Sequence, residues 1–292
     1  YISLQGKDTQ ETMKKLSIIT INYNNKNGLE QTIKSVVNQN AEKHTEHIII
    51  DGGSNDGSLD VIDENKEHFS YWCSEKDNGI YHAMNKGVAH ATGEYLLFLN
   101  SGDFLEPEVI ATVLNELTGT DIIYGDIIFQ TTNGERQTMV YPDTLSTEYM
   151  FFKAIGHPAT FFRRSLFQRY AYNESLKIVS DWEFLFKKII MESHSTRHIP
   201  LFISTFMTDG ISSTSGDLCD QERRECLTRL LSPAIYQEMC SLYEFKHNPY
   251  ISLFSEIGDK PHIRRHIRKY IKFLLSVNHI AGLLYKRKSK KR

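Results

Sequence analysis

Short apolar runs rich in β-branched residues alternate with helical periodicity in the N-terminal part of the chain. Residues 16–21 (LSIITI) and 47–50 (HIII) are as short and as apolar as strands that are buried on both faces. Between them, residues 29–37 carry apolar side chains at the spacing of one helix face. A helical pattern at 81–91 and another apolar run at 94–99 follow. This order predicts an α/β, Rossmann-like fold whose mostly parallel sheet has helices on both faces.

The pattern changes after residue 120. Residues 121–130 and 136–141 flank Asn133-Gly134, a dipeptide that is typical of tight hairpin turns. Helical spacing returns at 181–191, and residues 216–258 are also expected to be largely helical. The chain is therefore predicted to end in a helical extension that follows the sheet.

The charges are unevenly distributed along the chain. The net charge is −2, from 34 basic and 36 acidic residues. Twelve of the bases lie in residues 260–292, where no acid occurs, so the remainder of the chain is acidic. Apolar residues at helical spacing in this region predict a basic amphipathic membrane-associating tail at 259–292 that binds an anionic membrane surface. A solvated tail is the alternative. Basic runs without a fold motif are weak evidence for nucleic-acid binding, so no nucleic-acid partner is expected.

Targeting signals are sparse in this sequence. The longest apolar stretch, at 273–285, is too short and too interrupted to cross a bilayer. Residues 1–12 are polar and precede Met13-Lys14-Lys15, which resembles a natural start, so they are expected to be a leader or an added segment. Four cysteines without a CxxC pair indicate free thiols in a reducing compartment. The expected location is cytoplasmic, with peripheral association at the inner face of the plasma membrane.

Two aspartates follow apolar runs where parallel strands should end. Asp51 follows the run at 47–50, and Asp103 follows the run at 94–99 after a short turn. Ligands of open α/β sheets bind at this edge, where a buried carboxylate requires a partner. Asp51 is therefore a candidate for binding a nucleotide, and Asp103 is a candidate ligand for Mn²⁺ or Mg²⁺. A structural role in a turn or cap is the alternative for each of them.

A third aspartate opens the predicted helix in SDWEFLFKK. Asp181 is either a general base that accepts a proton from a hydroxyl, or a first-turn acid that the helix dipole favours. Glu183 is the rival base. The first turn of the sheet, NYNNKNG, lacks the glycines of a dinucleotide-binding fold, and no ATPase-type phosphate loop occurs. It also lacks the arginine expected of a nucleotidyltransferase, an alternative enzyme class.

Five segments occur in an order that resembles a known family. They are LSIITINYN, IIIDGGSNDGS, DNGIYHAMNKGVAHATGEYLLFLNSGD, HPATFFRRSLF and SDWEFLFKK. Together they are similar to family 2 glycosyltransferases of the GT-A fold, notably enzymes of bacterial polysaccharide assembly. The resemblance implies a GT-A domain at 13–215. It also implies inverting transfer of a sugar from a nucleotide-diphospho-sugar, with a UDP-sugar expected, to a hydroxyl of a glycan or lipid-linked acceptor.

The resemblance also assigns roles to particular residues. Donor-binding roles fall to Ile21, Tyr23, Asp51, Gly53, Asn85, Lys86 and Asp103, with Asp103 also the metal ligand, Asp181 the catalytic base, and His157 and Trp182 on the acceptor side. The backbone of Ile21 and the ring of Tyr23 would contact the base. The loop that begins at Gly210 resembles a segment that closes near the donor.

Three departures from the family pattern concern the same site. Gly52 stands where many relatives have a second aspartate, and Asn100 and Gly102 stand where acids often occur. His82 replaces an expected aspartate, and an imidazole does not supply the charge of a carboxylate. These departures keep open the alternative of a non-catalytic nucleotide-sugar-binding or membrane scaffold protein.

Overall fold

The computed structural model of the protein describes most of the chain. It describes residues 14–168, 171–208, 216–248, 262–263, 265–266, 268–270 and 272–273. The chain forms two compact units, Tyr1–Arg229 and Leu230–Arg292. The predicted leader at 1–12, the loop at Gly210 and most of the basic tail lie outside the described residues.

The first half of the larger unit alternates strands and helices as predicted. Its elements are β1 (Leu16–Asn22), α1 (Lys26–Val37), β2 (Thr45–Asp51), α2 (Ser58–Glu64), β3 (Tyr71–Ser74), α3 (Ile80–His90) and β4 (Tyr95–Phe98). Every residue of β1, β2 and β4 is buried, as expected of strands that are covered on both faces.

The second half is more irregular. Its elements are β5 (Phe104–Leu105), α4 (Val109–Glu116), β6 (Ile122–Gln130), β7 (Arg136–Met139), α5 (Thr147–Phe152), β8 (Thr160–Arg163), α6 (Ser180–Phe186) and β9 (Thr196–Met207). A π-helical segment, Lys187–Met191, continues α6. Two helices follow, α7 (Gly216–Leu230) and α8 (Pro233–Lys246). Ser232 is the N-cap of α8, and Pro233 is its first residue.

The sheet is parallel in one half and mixed in the other. Its strand order is β3-β2-β1-β4-β8-β6-β9-β5, with β7 paired to β6. Strands β3, β2, β1 and β4 run parallel, whereas β8 lies antiparallel between β4 and β6. The α/β fold class is confirmed, but "mostly parallel" describes only the first half. The second half departs because β5, β7 and β8 pair antiparallel with their neighbours, while β6 and β9 run parallel.

Helices cover both faces of the parallel half. Leu29 and Ile33 of α1 pack with Ile49 and with α2 on one face. On the other face, Gly87 of α3 lies so close to β1 that an added Cβ would be 2.4 Å from Ile19 Cγ2. Ile49 and Ile19 project from opposite faces, because Ile19 is in register with Ile48. The two-sided covering that the sequence predicts is therefore confirmed.

Local details differ from the sequence expectations in a few places. The hairpin at Asn133-Gly134 is confirmed by the antiparallel pairing of β6 with β7. Proline is common at the first position of a helix, but α4 begins at Val109, two residues after Pro107, and its cap residue Glu108 has a φ of +57°. The two-residue strand β5 and the helix α5 were not predicted, because both are too short to show a period. No helix of the described residues is long and apolar enough to cross a membrane.

A buried histidine makes the stability of this fold depend on pH. Burial lowers the pKa of His47 from 6.5 to about 3, with a smaller contribution from His68. As the pH decreases, His47 takes up a proton at a higher pH in the unfolded chain than in the folded protein. The stability contributed by its neutral form is therefore fully present above pH 6.5 and is lost as the pH decreases toward 3. The expected slope is about 1.4 kcal/mol per pH unit in that window. Urea unfolding of His47→Gln between pH 4 and 7 should show a slope smaller by this amount, whereas the exposed control His44→Gln should match the wild type. Equal slopes for all three proteins would contradict the assignment.

Candidate active site

Asp51 lies at the end of β2 with its carboxylate completely buried and hydrogen-bonded. Its exposed fraction is 0%. Oδ1 accepts from Asn22 Nδ2 (2.7 Å) and Ser54 Oγ (2.6 Å), and Oδ2 accepts from Ser74 Oγ (2.6 Å). The backbone N–H groups of Gly53 (3.1 Å) and Ser54 (2.9 Å) also donate to Oδ2. Asp51 therefore ties the ends of β1, β2 and β3 to the turn that follows β2.

These hydrogen bonds keep Asp51 ionised. Burial by itself raises the pKa of this carboxyl, but the bonds from Ser54, Ser74 and Asn22 outweigh burial and hold the pKa below its ordinary value. The side-chain oxygen of Asn22 is buried without a hydrogen-bond partner among the described residues. A nucleobase contact by Asp51 stays a prediction. Near this position the structure shows a negative charge on Asp51 and an acceptor oxygen on Asn22.

The predicted base-contacting residues lie beside this turn. Tyr23 follows β1 with 68% of its surface exposed. A Cβ added to Gly52 would lie 3.2 Å from the Tyr23 ring and 2.7 Å from the carboxylate of Asp77. Asp77 therefore occupies the space beside Gly52, where the family resemblance leads us to expect a second aspartate. The carbonyl of Ile21 accepts the N–H of Ser101 (3.0 Å), and Gly53 has a φ of +81°, which explains the glycine in this turn.

Asn85 and Lys86 lie on α3 and have protein partners. Asn85 Nδ2 donates to the carbonyl of Tyr172 (2.9 Å) and to Glu174 Oε1 (2.8 Å), while Asn85 Oδ1 accepts the Tyr172 N–H (2.9 Å). Lys86 pairs with Glu75 at 3.0 Å. Asn85 therefore anchors the loop before α6, and its contact with a donor sugar stays a prediction.

Asp103 is held at the end of a turn that α1 supports. The turn closes with the N–H of Asp103 on the carbonyl of Asn100 (3.0 Å), and Gly102 within it has a φ of +105°. Thr32 of α1 accepts from the Gly102 N–H (3.0 Å) and donates to the Asp103 carbonyl (2.6 Å). Asp103 is 5% exposed, and its Oδ1 accepts the N–H of Met207 at the end of β9 (3.0 Å).

The donor set of this turn fits a hard divalent cation. Besides the carboxylate of Asp103, the side-chain oxygen of Asn100 is buried and has no hydrogen-bond partner in the described part of the chain. Carboxylate and amide oxygens are suitable ligands for Mg²⁺ and Mn²⁺, which often take few protein ligands and complete their shell with phosphate and water. Where the chain is described, no three His, Cys, Asp or Glu side chains group as metal ligands.

Asp181 lies in the first turn of α6, where a tyrosine from α3 holds it. The cap position of α6 is Val179, so Asp181 is not the N-cap. The Tyr81 hydroxyl lies 3.0 Å from Asp181 Oδ1 and 2.5 Å from the carbonyl oxygen of Ile178. Burial, together with the charge of Asp181, raises the pKa of Tyr81 well above its ordinary value, so the hydroxyl keeps its proton. The rival base, Glu183, is 1% exposed and pairs with Lys187 and Arg229, which leaves Asp181 as the better placed carboxylate.

Topology brings these groups to one edge of the sheet. The carboxyl ends of β1, β2 and β4 carry the turns that contain Tyr23, Asp51 and Asp103. Helix α3 follows the parallel strand β3, so its first turn, with Tyr81, begins at the same edge. Asp181 is joined to that turn. The sequence expectation that Asp51 and Asp103 lie at one edge thus agrees with the strand order.

The predicted acceptor-side residues, His157 and Trp182, are both buried. His157 is stacked on Phe98 at 4.9 Å between ring centroids and exchanges a hydrogen bond of 2.8 Å with Tyr172. Burial lowers the pKa of His157, while the charge of Asp181 acts in the opposite direction. Trp182 donates from Nε1 to the carbonyl of Met150 (2.8 Å). Contact of either side chain with an acceptor stays a prediction.

His82 occupies the position where the family resemblance leads us to expect aspartate. Its Nδ1 accepts the N–H of Asn78 at 3.1 Å, just before α3. A neutral imidazole nitrogen can accept this hydrogen bond as a carboxylate oxygen would, but it does not carry the negative charge. The substitution thus keeps a local structural contact at the start of α3 and changes the charge beside Glu75 and Lys86.

Comparison with known proteins decides the family. The model of the Glycosyl transferase family 2 matches residues 17–176, more than half of the chain. The chain belongs to glycosyl transferase family 2. An uncharacterized glycosyltransferase of Mycobacterium tuberculosis is 34% identical over 203 residues, 68% of this chain and 77% of that protein. A PGL/p-HBAD biosynthesis glycosyltransferase of Mycobacterium bovis is 32% identical over 63% of this chain and 74% of its own length.

Solved structures show the same GT-A fold as this family 2 transferase. TarS of S. aureus, in complex with UDP-GlcNAc, superposes with a TM-score of 0.60 at 17% identity over 80% of this chain and 73% of that chain. A mannosyltransferase of Pyrobaculum calidifontis, in complex with GDP-Man and Mn²⁺, gives 0.52 at 16% identity over 73% of this chain and 62% of that chain. At these identities the likeness concerns the fold.

Proposed function

We propose that this transferase moves a sugar, with inversion, from a UDP-sugar to a hydroxyl of a glycan or lipid-linked acceptor. The observation that carries the proposal is the half-buried carboxylate of Asp181, which Tyr81 orients at the sheet edge that also holds Tyr23 and Asp103. Similar folds bind UDP-GlcNAc and GDP-Man, which supports a nucleotide-sugar donor.

The proposed reaction is a single displacement. Asp181 accepts the proton of the acceptor hydroxyl as its oxygen forms a bond to the anomeric carbon. The bond between that carbon and the diphosphate breaks from the opposite side, and the nucleoside diphosphate leaves with the electron pair. Attack from one side and departure from the other invert the configuration. Tyr81 holds the Asp181 carboxylate in place while that carboxylate accepts the proton.

The turn from Asn100 to Asp103 is the proposed cation site. Asp103, with the side-chain oxygen of Asn100, would hold Mn²⁺ or Mg²⁺ next to the diphosphate of the donor. A divalent cation there would neutralise the charge that develops on the leaving diphosphate. Tyr23 would stack on the nucleobase, because its exposed ring lies next to the turn that Asp51 organises.

The proposed biological setting is assembly of a bacterial surface polysaccharide at the inner face of the plasma membrane. One relative is a PGL/p-HBAD biosynthesis glycosyltransferase, which supports a biosynthetic role for this transferase. The basic composition of residues 260–292 supports contact with an anionic membrane surface. The protein itself would be cytoplasmic and peripherally associated.

A donor screen by thermal unfolding tests this function. UDP-glucose, UDP-galactose, UDP-GlcNAc and GDP-mannose are compared with and without Mn²⁺. At 100 times its Kd, a donor that binds only the folded form adds about 2.7 kcal/mol of stability, which is a shift of several degrees in Tm. A UDP-sugar should give the largest shift, more with Mn²⁺ than without. The control Tyr23→Ala, at an exposed position, should unfold like the wild type alone but show a smaller shift.

Two results of the screen would contradict the proposal. One is that no nucleotide-sugar raises the Tm. The other is that a donor binds but releases no nucleoside diphosphate under any condition, which would favour the alternative of a non-catalytic nucleotide-sugar-binding protein.

A further inference from the structure

A glutamate on α7 fixes the backbone that leads into the Asp181 turn. Glu222 is 6% exposed. Its Oε1 accepts the N–H of Lys177 (2.8 Å), and its Oε2 accepts the N–H groups of Ile178 (3.0 Å) and Val179 (3.3 Å). A charged acceptor that binds consecutive backbone donors is stronger and more directional than neutral contacts. The path of residues 177–179 is therefore set by a side chain outside the segment.

That backbone carries the acceptor on which Tyr81 depends. The carbonyl of Ile178, in the middle of the clamped segment, is 2.5 Å from the Tyr81 hydroxyl, which is also 3.0 Å from Asp181. A hydroxyl has one proton and can also accept. When Asp181 is ionised, Tyr81 can donate to it. When Asp181 holds a proton, it can donate to Tyr81 while Tyr81 donates to Ile178. The protonated state of Asp181 therefore depends on the Ile178 carbonyl, which accepts the Tyr81 proton in that state.

Helix α7 also holds the residue that follows Asp181. Arg223, next to Glu222 in the chain, places its guanidinium 4.5 Å from the ring centre of Trp182. The same guanidinium donates to the carbonyl of Lys153 (2.7 Å). Glu222 and Arg223 thus constrain the backbone before Asp181 and the side chain after it, and both lie in the same compact unit as Asp181.

We propose that Glu222 is a positioning residue for the transfer reaction, acting through residues 177–179 and Tyr81 on Asp181. This inference rests on the proposed role of Asp181 as the base. A reacting group displaced by about 1 Å can reduce a rate by about 10²-fold. Loss of the Glu222 clamp is therefore expected to lower kcat and to leave donor binding, which is assigned to the turns after β1 and β2, nearly unchanged.

The test measures nucleoside diphosphate release with water as the acceptor. The donor is the nucleotide-sugar of the screen that raises the Tm most, with Mn²⁺ present. Glu222→Gln keeps the shape of the side chain but faces the amides with one acceptor oxygen only and an added donor. Glu222→Asp keeps the charge and should restore part of the rate. Glu225→Gln, the same change at an exposed position of α7, is the control.

We expect Glu222→Gln to lower kcat by about 10- to 100-fold. Its donor KM and the Tm shift that the donor induces should stay within about twofold of the wild type, and Glu225→Gln should match the wild type. A wild-type kcat for Glu222→Gln would overturn the inference, as would parallel losses of kcat and donor binding. If Glu222→Gln does not fold, Glu222→Asp decides: reduced kcat at unchanged KM supports positioning, and unchanged kcat overturns it.

The failure of this inference and of the proposed function can be told apart. If Asp181→Asn loses release while Glu222→Gln keeps it, Asp181 remains the base and only the role of Glu222 is wrong. If Asp181→Asn keeps the wild-type rate, the assigned base is wrong and the role of Glu222 fails with it.

Discussion

Asp181→Asn is expected to lower the rate of sugar transfer by about 10²- to 10⁴-fold, the usual contribution of a positioned general base. The amide cannot accept the proton of the acceptor hydroxyl, yet it keeps the shape of the carboxylate and can still accept a hydrogen bond from Tyr81. Donor binding should therefore remain. The measurement is nucleoside diphosphate release at saturating donor, together with the Tm shift that the same donor produces.

The matched control for this change is Asp63→Asn, on the exposed surface of α2. It should release nucleoside diphosphate at the wild-type rate. Full turnover by Asp181→Asn would refute the assignment of the base. If Asp181→Asn loses both donor binding and turnover, Asp181 instead holds the donor.

Asp103→Ala should remove the metal dependence of the reaction together with most of its rate. Stabilisation of developing charge by a divalent cation is worth several kcal/mol, and about 1.4 kcal/mol corresponds to tenfold in rate, so a loss of about 10²- to 10³-fold is expected. Release by the wild type should fall by a similar factor in EDTA and recover when Mn²⁺ is added. Release by Asp103→Ala should respond to neither addition.

Folding of the Asp103→Ala protein must be checked, because Asp103 also accepts the Met207 N–H. Asp103→Asn keeps an acceptor for that N–H and lacks the negative charge, so it should be folded and should show the same loss. A variant that still loses activity in EDTA to the same extent as the wild type would place the cation elsewhere.

The parallel half of the fold was predictable because strands and helices there show their characteristic apolar pattern within their own residues. Strands such as β1 are uniformly apolar, and helices such as α1 show one apolar face. The second half was less predictable because its order depends on contacts between distant segments. Strand β8 is four residues long and pairs antiparallel with both β4 and β6. Its own residues do not indicate these distant partners.

Asp51 and Asp103 could be selected from the sequence because they follow predicted strands, and Asp181 because it opens a helical pattern. The partners of these aspartates could not be predicted. Tyr81 is 100 residues away from Asp181 in the chain, and Glu222 is 44 residues from Ile178. In the sequence, Tyr81 resembles any other apolar residue on the buried face of α3, so nothing marks it as a partner of Asp181. One signal for Glu222 was available: it lies four residues before the buried Cys226, so an acid occupies the buried face of α7.

The central claim is that Asp51, Asp103 and Asp181 serve a single bound donor. Hydrogen–deuterium exchange of the wild-type protein, with and without the stabilising donor and Mn²⁺, tests it most directly. The account predicts slower exchange at the turns that follow β1, β2 and β4 and at the first turn of α6, all at the same donor concentration. Slower exchange at only one of these turns, or at different donor concentrations for each, would contradict it.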